Sequence, residues 1–338
     1  MPPTPTTRRE VRIALPSKGR LANDTLELLS HAGLPVDKPN PRQLQATIPS
    51  LPGAVVLFQR SADIVVSVRE GSVDFGIAGW DTVVERMGTA DQVLVLHRDL
   101  GYGRCRLCVA VPEEWEARTI ADVAARASTL GHTLRVATKF PVVTKEFFAR
   151  HGLPDPRLIL PEGTLEVAPH IGYADIIVDL VSSGRTLREN RLSVLEDGEI
   201  LASQACLFAN REALVARPAA LGVAKHLIEF IEAHLRARDN YTVFANMRGE
   251  SPEAIGARMA EQTVIGGLQG PTISRVVHPE HQGWYAVHVV VRRDRLPQAI
   301  AELRSIGGSG VVVTPVTYIF EEEPETYREM LAALEDLK

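Results

Sequence analysis

The residues best suited to chemistry lie together in ADIIVDLVSSGRTLREN, residues 174–190. Ile176, Ile177, Val178, Leu180 and Val181 read as a buried strand carrying acids at Asp175 and Asp179. A loop of Ser182, Ser183, Gly184, Arg185 and Thr186 follows, and then the start of a helix. Glycine lets the backbone come close to an anion, and free N–H groups and hydroxyls can donate to it, so such a loop can hold a phosphate. Asp179, just upstream, can accept hydrogen bonds from ribose hydroxyls while the loop holds a 5'-phosphate, a combination that suits a phosphoribosyl group. The competing explanation is ordinary turn chemistry, because Ser, Gly and Thr also serve as helix caps and turn formers.

Several other strand-to-helix turns carry charge. An apolar strand over residues 11–15 leads into Pro16, Ser17, Lys18, Gly19 and Arg20 and then a helix. Such turns lie at the carboxyl end of a parallel sheet, where ligands bind, although a solvated basic turn fits the same residues. Lys139 follows a strand over residues 134–138 in the same way, before a helix over 143–151. Glu162, Gly163 and Thr164 follow a strand over 158–160, with Thr164 predicted to cap a helix.

These turns need a scaffold, and strand–helix alternation supplies it. A capped helix over 61–70, a strand over 73–78 and a helix opened by Gly79, Trp80 and Asp81 imply a largely parallel sheet covered on both faces. Trp80 reads as packing more readily than as a cofactor stack. Glycine-rich Gly101 to Arg104 reads as a crossing between two lobes, with a strand over 105–111 beyond it and a helix over 120–127. The expected first lobe spans 8–100 and 191–239, closing with a long amphipathic helix over 219–238, and the second spans 101–190. Two crossings make closure around a ligand mechanically natural.

From Asn240 the order changes to strand 241–245, helix 252–261, strands 272–277 and 284–292, helix 296–306 and strand 311–315. That βαββαβ order is ferredoxin-like, an antiparallel sheet with helices on one face, expected over residues 240–320. An acidic helical tail over 321–338 shows no chemistry.

The chain has 338 residues, enough for two or three domains, and its 45% hydrophobic content can fill their cores. A net charge of −5 argues against a nucleic-acid partner, whose footprint is a basic face. Neither a basic, apolar leader nor a run long enough to span a membrane is evident, so the expectation is a cytoplasmic protein with no membrane partner. Three cysteines fit a reducing compartment. Cys105 and Cys108 form a C-x-x-C, but on a strand positions three apart face opposite ways, against a redox or zinc role. His278 and His281 read as solvated loop histidines.

Several blocks resemble the ATP phosphoribosyltransferase family in its long form with a C-terminal regulatory domain. They are RIALPSKGRL, VDFGIAGWD, GYGRCRLCVA, GTLEVAPHIGYADIIVDLVSSGRTL, GPTIS and IGGSGVVVTPV, in order along nearly the whole chain. The resemblance implies the first step of L-histidine biosynthesis, in which N1 of the ATP adenine attacks C1 of phosphoribosyl pyrophosphate. It implies Mg²⁺, feedback inhibition by L-histidine, dimers assembling into hexamers, and catalytic lobes resembling a periplasmic-binding-protein fold. By this match Ser182 to Thr186 hold the 5'-phosphate and Asp179 the ribose hydroxyls, with Asp175 as a further substrate residue. Lys18 and Arg20 would face the nucleotide phosphates, with Lys139 beside them, and no protein nucleophile is implied. Leu268, Gly270 and Thr272 match the effector segment. Ser183 stands where the family usually has threonine, keeping the hydroxyl, and Gly270 where many relatives have serine. A two-lobed binding protein without chemistry is the competing class. It predicts an export signal and a cleft without the loop.

Overall fold

The computed structural model describes residues 8–40, 42–88, 91–161, 163–266, 270–277 and 283–335. The chain forms two compact units, one of residues 1–30, 34–228 and 325–338, the other of 31–33 and 229–324.

The first unit holds two sheets. Strands β1 (Val11–Pro16), β2 (Gln45–Thr47), β3 (Ala54–Gln59), β4 (Phe75–Gly79) and β5 (Val93–His97) alternate with helices α1 (Ala22–His31), α2 (Ser61–Arg69) and α3 (Trp80–Arg86). The chain then builds β6 (Cys105–Pro112), α4 (Ile120–Ala127), β7 (Arg135–Thr138), α5 (Pro141–Arg150), β8 (Arg157–Ile159), β9 (Ile176–Val181), α6 (Arg185–Glu189) and β10 (Leu192–Ser203). It returns through β11 (Ala205–Asn210), giving sheet orders β2-β3-β1-β4-β11-β5 and β10-β6-β9-β7-β8.

Neither sheet is largely parallel, contrary to the expectation from alternation. Only β3-β1-β4 and β9-β7-β8 run parallel. The strands that cross between lobes, β6 and β11, enter against their neighbours and pair antiparallel. Strand β10 also pairs with β6, so residues 192–203 belong to the second sheet and the return expected at 191 falls after Ser203.

The second sheet is buried on both faces, as β9 shows. Ile176 and Val178 pack with Leu107, Val136 and Phe148 on one side, whereas Ile177 and Val181 pack with Cys108, Leu165 and Leu187 on the other. Two local expectations fail. Arg60, not Ser61, precedes the first turn of α2, without a side-chain cap bond. No helix follows Thr164, where residues 163–175 form turns broken by Pro169 and by Gly172 at φ +70°.

Helices α7 (Arg211–Ala216) and α8 (Pro218–Ala237) lead into the second unit. There β12 (Asn240–Arg248), α9 (Pro252–Ala260), β13 (Thr272–Arg275), β14 (Trp284–Arg292), α10 (Leu296–Ser305) and β15 (Ser309–Pro315) form an antiparallel sheet of order β13-β14-β12-β15. Strict alternation along β14 turns Tyr285, Val287, Val289 and Val291 into a core shared with Ile255 and Met259 of α9 and Ala299 and Leu303 of α10.

The acidic tail is not a separate segment. Its helix α11 (Glu325–Glu335) belongs to the first unit, burying Tyr327, Met330 and Leu334 on one stripe. Arg211 Nη1 donates to the Ala333 carbonyl at 2.6 Å, and Lys225 lies 5.5 Å from the Tyr327 ring centre. Ending the chain before Glu325 is expected to destabilise the first unit by roughly 4.5–9 kcal/mol, the burial of three large side chains. Calorimetric melting of the shortened and full chains checks this.

Candidate functional site

Where β9 ends, the chain turns over Ser182, Ser183 and Gly184 into α6, a helix of only 5 residues. Gly184 sits at φ +69° and ψ +7°, the left-handed region. A Cβ there would meet only Arg188 Nη1 at 3.5 Å and Val181 Cγ1 at 3.8 Å, so backbone conformation rather than crowding calls for glycine. The Arg185 N–H bonds to Ser183 Oγ at 3.4 Å, while the Arg185 guanidinium leans away onto Glu189 at 2.7 Å. Residues 182–187 line a polar cavity of about 150 Å³ together with Asp179 and Glu166. Ligand pockets usually measure ~300–1,000 Å³, so this one fits a phosphate or part of a sugar phosphate rather than a whole nucleotide.

Asp179 stands on the face of β9 that buries Ile177 and Val181. Burial pushes its carboxyl up to about 6, opposed by the Leu180 N–H at 2.8 Å and by Lys139, and reinforced by Glu166. Strand β7 ends at Thr138, which pairs with Val178, and exposed Lys139 is the first residue beyond it. Loop and strand acid are therefore brought together in one cavity, whose lining does not include Lys139. Glu166 joins them, and nothing in the local residue pattern singles it out within LEVAP.

Asp175 does not join them. It lies at the opposite end of β9, about 13 Å of strand away at ~3.3 Å per residue. Its carboxylate receives the Arg135 backbone N–H at 2.7 Å and Arg135 Nη2 at 2.7 Å, with His132 Nε2 at 3.2 Å. Burial would raise this carboxyl, but those bonds hold it below the usual range. A buried carboxylate needs such partners, and Asp175 spends its acceptors tying β7 to β9 instead of facing a substrate.

Comparison with known proteins bears on the same residues. The ATP phosphoribosyltransferase family model matches residues 60–233, and that of the HisG C-terminal domain matches 237–318. The chain belongs to the ATP phosphoribosyltransferase family. ATP phosphoribosyltransferase 2, chloroplastic, from Arabidopsis thaliana is 41% identical over 97% of this chain and 81% of its own length. ATP phosphoribosyltransferase from Gemmatimonas aurantiaca is 38% identical over 90% of this chain and 98% of its own. Among solved structures, the ATP phosphoribosyl transferase (HisG:HisZ) complex from Thermotoga maritima shares 26% identity and a TM-score of 0.50, covering 66% of this chain and 98% of that one. The chain is thus a long-form phosphoribosyltransferase, a transferase of histidine biosynthesis.

In this phosphoribosyltransferase, Lys18 and Arg20 flank Gly19, at φ +86°, on the turn after β1 in the first sheet. Arg20 reaches the crossing strand, donating to the Arg104 carbonyl at 3.3 Å and lying 3.2 Å from Cys105 Sγ. Exposed Lys18 does not line the loop cavity, and neither does Arg20. In the second unit, exposed Gly270, at φ +92°, precedes exposed Thr272 at the start of β13. Leu268, Glu162, His278 and His281 lie outside the described residues. Cys105, Cys108 and Cys206 are buried free thiols, with Cys108 pushed up to about 11 by burial. No cluster of three or more His, Cys, Asp or Glu suited to a metal occurs among the described residues. No helix of the described chain is long and apolar enough to cross a membrane. Trp80 is buried with the Arg98 guanidinium 4.2 Å from its ring centre, a packing role.

Proposed function

We propose that this chain transfers the phosphoribosyl group of phosphoribosyl pyrophosphate to N1 of the ATP adenine, forming 1-(5-phosphoribosyl)-ATP. The N1–C1 bond forms as the bond from C1 to pyrophosphate breaks, and pyrophosphate leaves with the electron pair. The observation that carries this reading is the Ser182–Thr186 loop opening into one small cavity with Asp179 and Glu166. Backbone N–H groups and the hydroxyls of Ser182, Ser183 and Thr186 hold the 5'-phosphate, with Gly184 allowing the approach and Arg185 supplying charge. Asp179 accepts from the ribose hydroxyls. Lys18 and Arg20, on the turn after β1, serve the nucleotide phosphates, and Lys139 joins them in that role.

Positive charge develops on the ribose as pyrophosphate departs, so catalysis rests on positioning and on neutralising the leaving group. Mg²⁺ is held in proteins by one or two carboxylates together with substrate oxygens. Glu166 and Asp179 in one polar cavity fit that donor set and would hold it, and the ion would neutralise the departing pyrophosphate.

The finer architecture belongs to the same proposal. Two mixed sheets joined by two crossings support a periplasmic-binding-protein-like core, and the order β15-β12-β14-β13 supports a ferredoxin-like second unit. That unit serves feedback inhibition by L-histidine, with Leu268, Gly270 and Thr272 in the effector segment. The working form is a homo-oligomer, a dimer or hexamer, in the cytoplasm, with no nucleic-acid or membrane partner. A coupled assay of pyrophosphate release from ATP and phosphoribosyl pyrophosphate tests the reaction, and binding without release would favour a protein that performs no chemistry. L-histidine added to the same assay is expected to inhibit, and calorimetry with Thr272→Val is expected to show weaker binding of it. Full activity in saturating histidine would remove the regulatory part alone.

A further inference from the structure

The turn that carries Lys18 and Arg20 is exposed at every residue from Ser17 to Arg20, yet it is held from far along the chain. Three successive residues of the outbound crossing meet it. The Arg104 carbonyl accepts from Arg20 at 3.3 Å. Gly103, at φ +71°, lies so near Leu21 that a Cβ there would run into the leucine side chain. The Tyr102 hydroxyl is 2.7 Å from Thr25 Oγ1, on the first turn of α1.

The last of these contacts has a direction. Thr25 Oγ1 donates its one proton to the Leu21 carbonyl at 2.6 Å, so the proton shared by the two hydroxyls comes from Tyr102. Burial pushes the Tyr102 hydroxyl far above its usual range, which keeps that proton in place. The bond from Thr25 to Leu21 is ordinary helical back-bonding, but the one from Tyr102 is not local, because 77 positions separate the pair. Thr25 is fully buried, and bonds arranged in such a chain strengthen one another. The chain from Tyr102 through Thr25 ends on the residue that follows Arg20.

The same stretch continues into the second lobe. Cys105 pairs with Ser203 of β10, and Arg106 pairs with Val181, the residue before the Ser182–Thr186 loop. On the return crossing, the Ala205 N–H bonds to the Tyr102 carbonyl at 3.0 Å. The residues from Tyr102 to Arg106 therefore join the turn given to the nucleotide to the loop given to the phosphoribosyl group.

We propose that Tyr102 is a positioning residue for the nucleotide: through Thr25 and Leu21 its hydroxyl seats the Lys18–Arg20 turn on the crossing, in register with the phosphate loop. This inference rests on the proposed role of Lys18 and Arg20 only for its kinetic arm. The direct measurement is hydrogen–deuterium exchange of the ligand-free full chain, read over residues 17–25. Tyr102→Phe removes the hydroxyl alone, Thr25→Val removes its acceptor at similar size, and Thr25→Ser keeps that acceptor. Exchange over 17–25 is expected to quicken roughly fivefold in Tyr102→Phe, the worth of one net hydrogen bond. It quickens at least as much in Thr25→Val, the double variant adds nothing to that, and Thr25→Ser exchanges like the unaltered chain. Exchange over residues 182–187 stays the same in all of them.

With substrates present, KM for ATP is expected to rise roughly fivefold in Tyr102→Phe while KM for phosphoribosyl pyrophosphate holds, a split that a general loosening of the fold does not give. Unmoved exchange over 17–25 in folded Tyr102→Phe overturns the proposal, as does a double variant displaced by the product of the two, or an equal rise in both KM values. Lys18→Gln tests the role of the turn itself. An unmoved KM for ATP in that variant would take the nucleotide away from the turn, and exchange alone would then decide whether Tyr102 seats it.

Discussion

Gly184→Val is expected to abolish phosphoribosyl transfer while both units stay folded. Gly184 holds φ +69° at the point where the loop turns into α6, and a β-branched residue is strained there by roughly 1–3 kcal/mol. Nothing crowds the position, so the valine itself fits and the strain is relieved by the backbone. That movement takes the N–H groups of the loop away from the phosphate, and the branched side chain stands in its approach. Circular dichroism establishes the fold, and steady-state kinetics give the result. Ordinary kinetics in a folded valine variant would take the phosphate away from this loop.

Asp179→Asn is expected to weaken the enzyme and strengthen the fold at once. Loss of one charge-assisted acceptor costs roughly 1.5–3 kcal/mol of transition-state binding, about ten- to a hundredfold in kcat/KM for phosphoribosyl pyrophosphate, with ATP binding little changed. The stability effect has the opposite sign. Burial raises the folded-state carboxyl to about 6 from an ordinary 3.8, so the folded chain takes up this proton more readily than the unfolded chain. The stabilisation from that proton is complete below about pH 4 and is lost as pH rises through 6. At pH 7 the ionised carboxylate therefore costs stability, and asparagine recovers roughly 1–3 kcal/mol of it. Melting temperatures at pH 7 and pH 4 are expected to differ between the two proteins only at the higher pH. The same titration gives kcat/KM of the unaltered enzyme an acid limb near pH 6, absent in the variant. Equal losses for both substrates would mark Asp179 as support for the fold.

Strand β9 and its loop are legible in the sequence because an apolar run ending in Ser-Ser-Gly dictates both burial and a turn. The α9–β15 order is legible for a similar reason, since β14 alternates without a break. Direction is another matter. Periodicity says that β6 and β11 are strands but not which way a neighbour runs, and their antiparallel entry appears only once the crossings are placed. Strand β2 has 3 residues of mixed polarity and exists by pairing with β3, so no local signal marks it. The two acids of β9 look alike in sequence, and Asp175 is claimed by Arg135, 40 positions away. Glu85 reads as an ordinary helix acid until the Val142 N–H that bonds to it, 57 positions on, is seen.

Helix α11 gives the chain an order of assembly. Synthesis proceeds from the amino end at ~5–20 residues per second, and domains generally fold as they emerge. Here the last piece of the first unit leaves the ribosome after all of residues 229–324, so that unit waits, with the seat of Tyr327, Met330 and Leu334 open, until the second has been made. A nonsense codon or frameshift anywhere in the second unit also deletes the helix that completes the first. Such a product meets proteases with its first unit unfinished, so the second unit cannot be discarded by truncation without cost to the first.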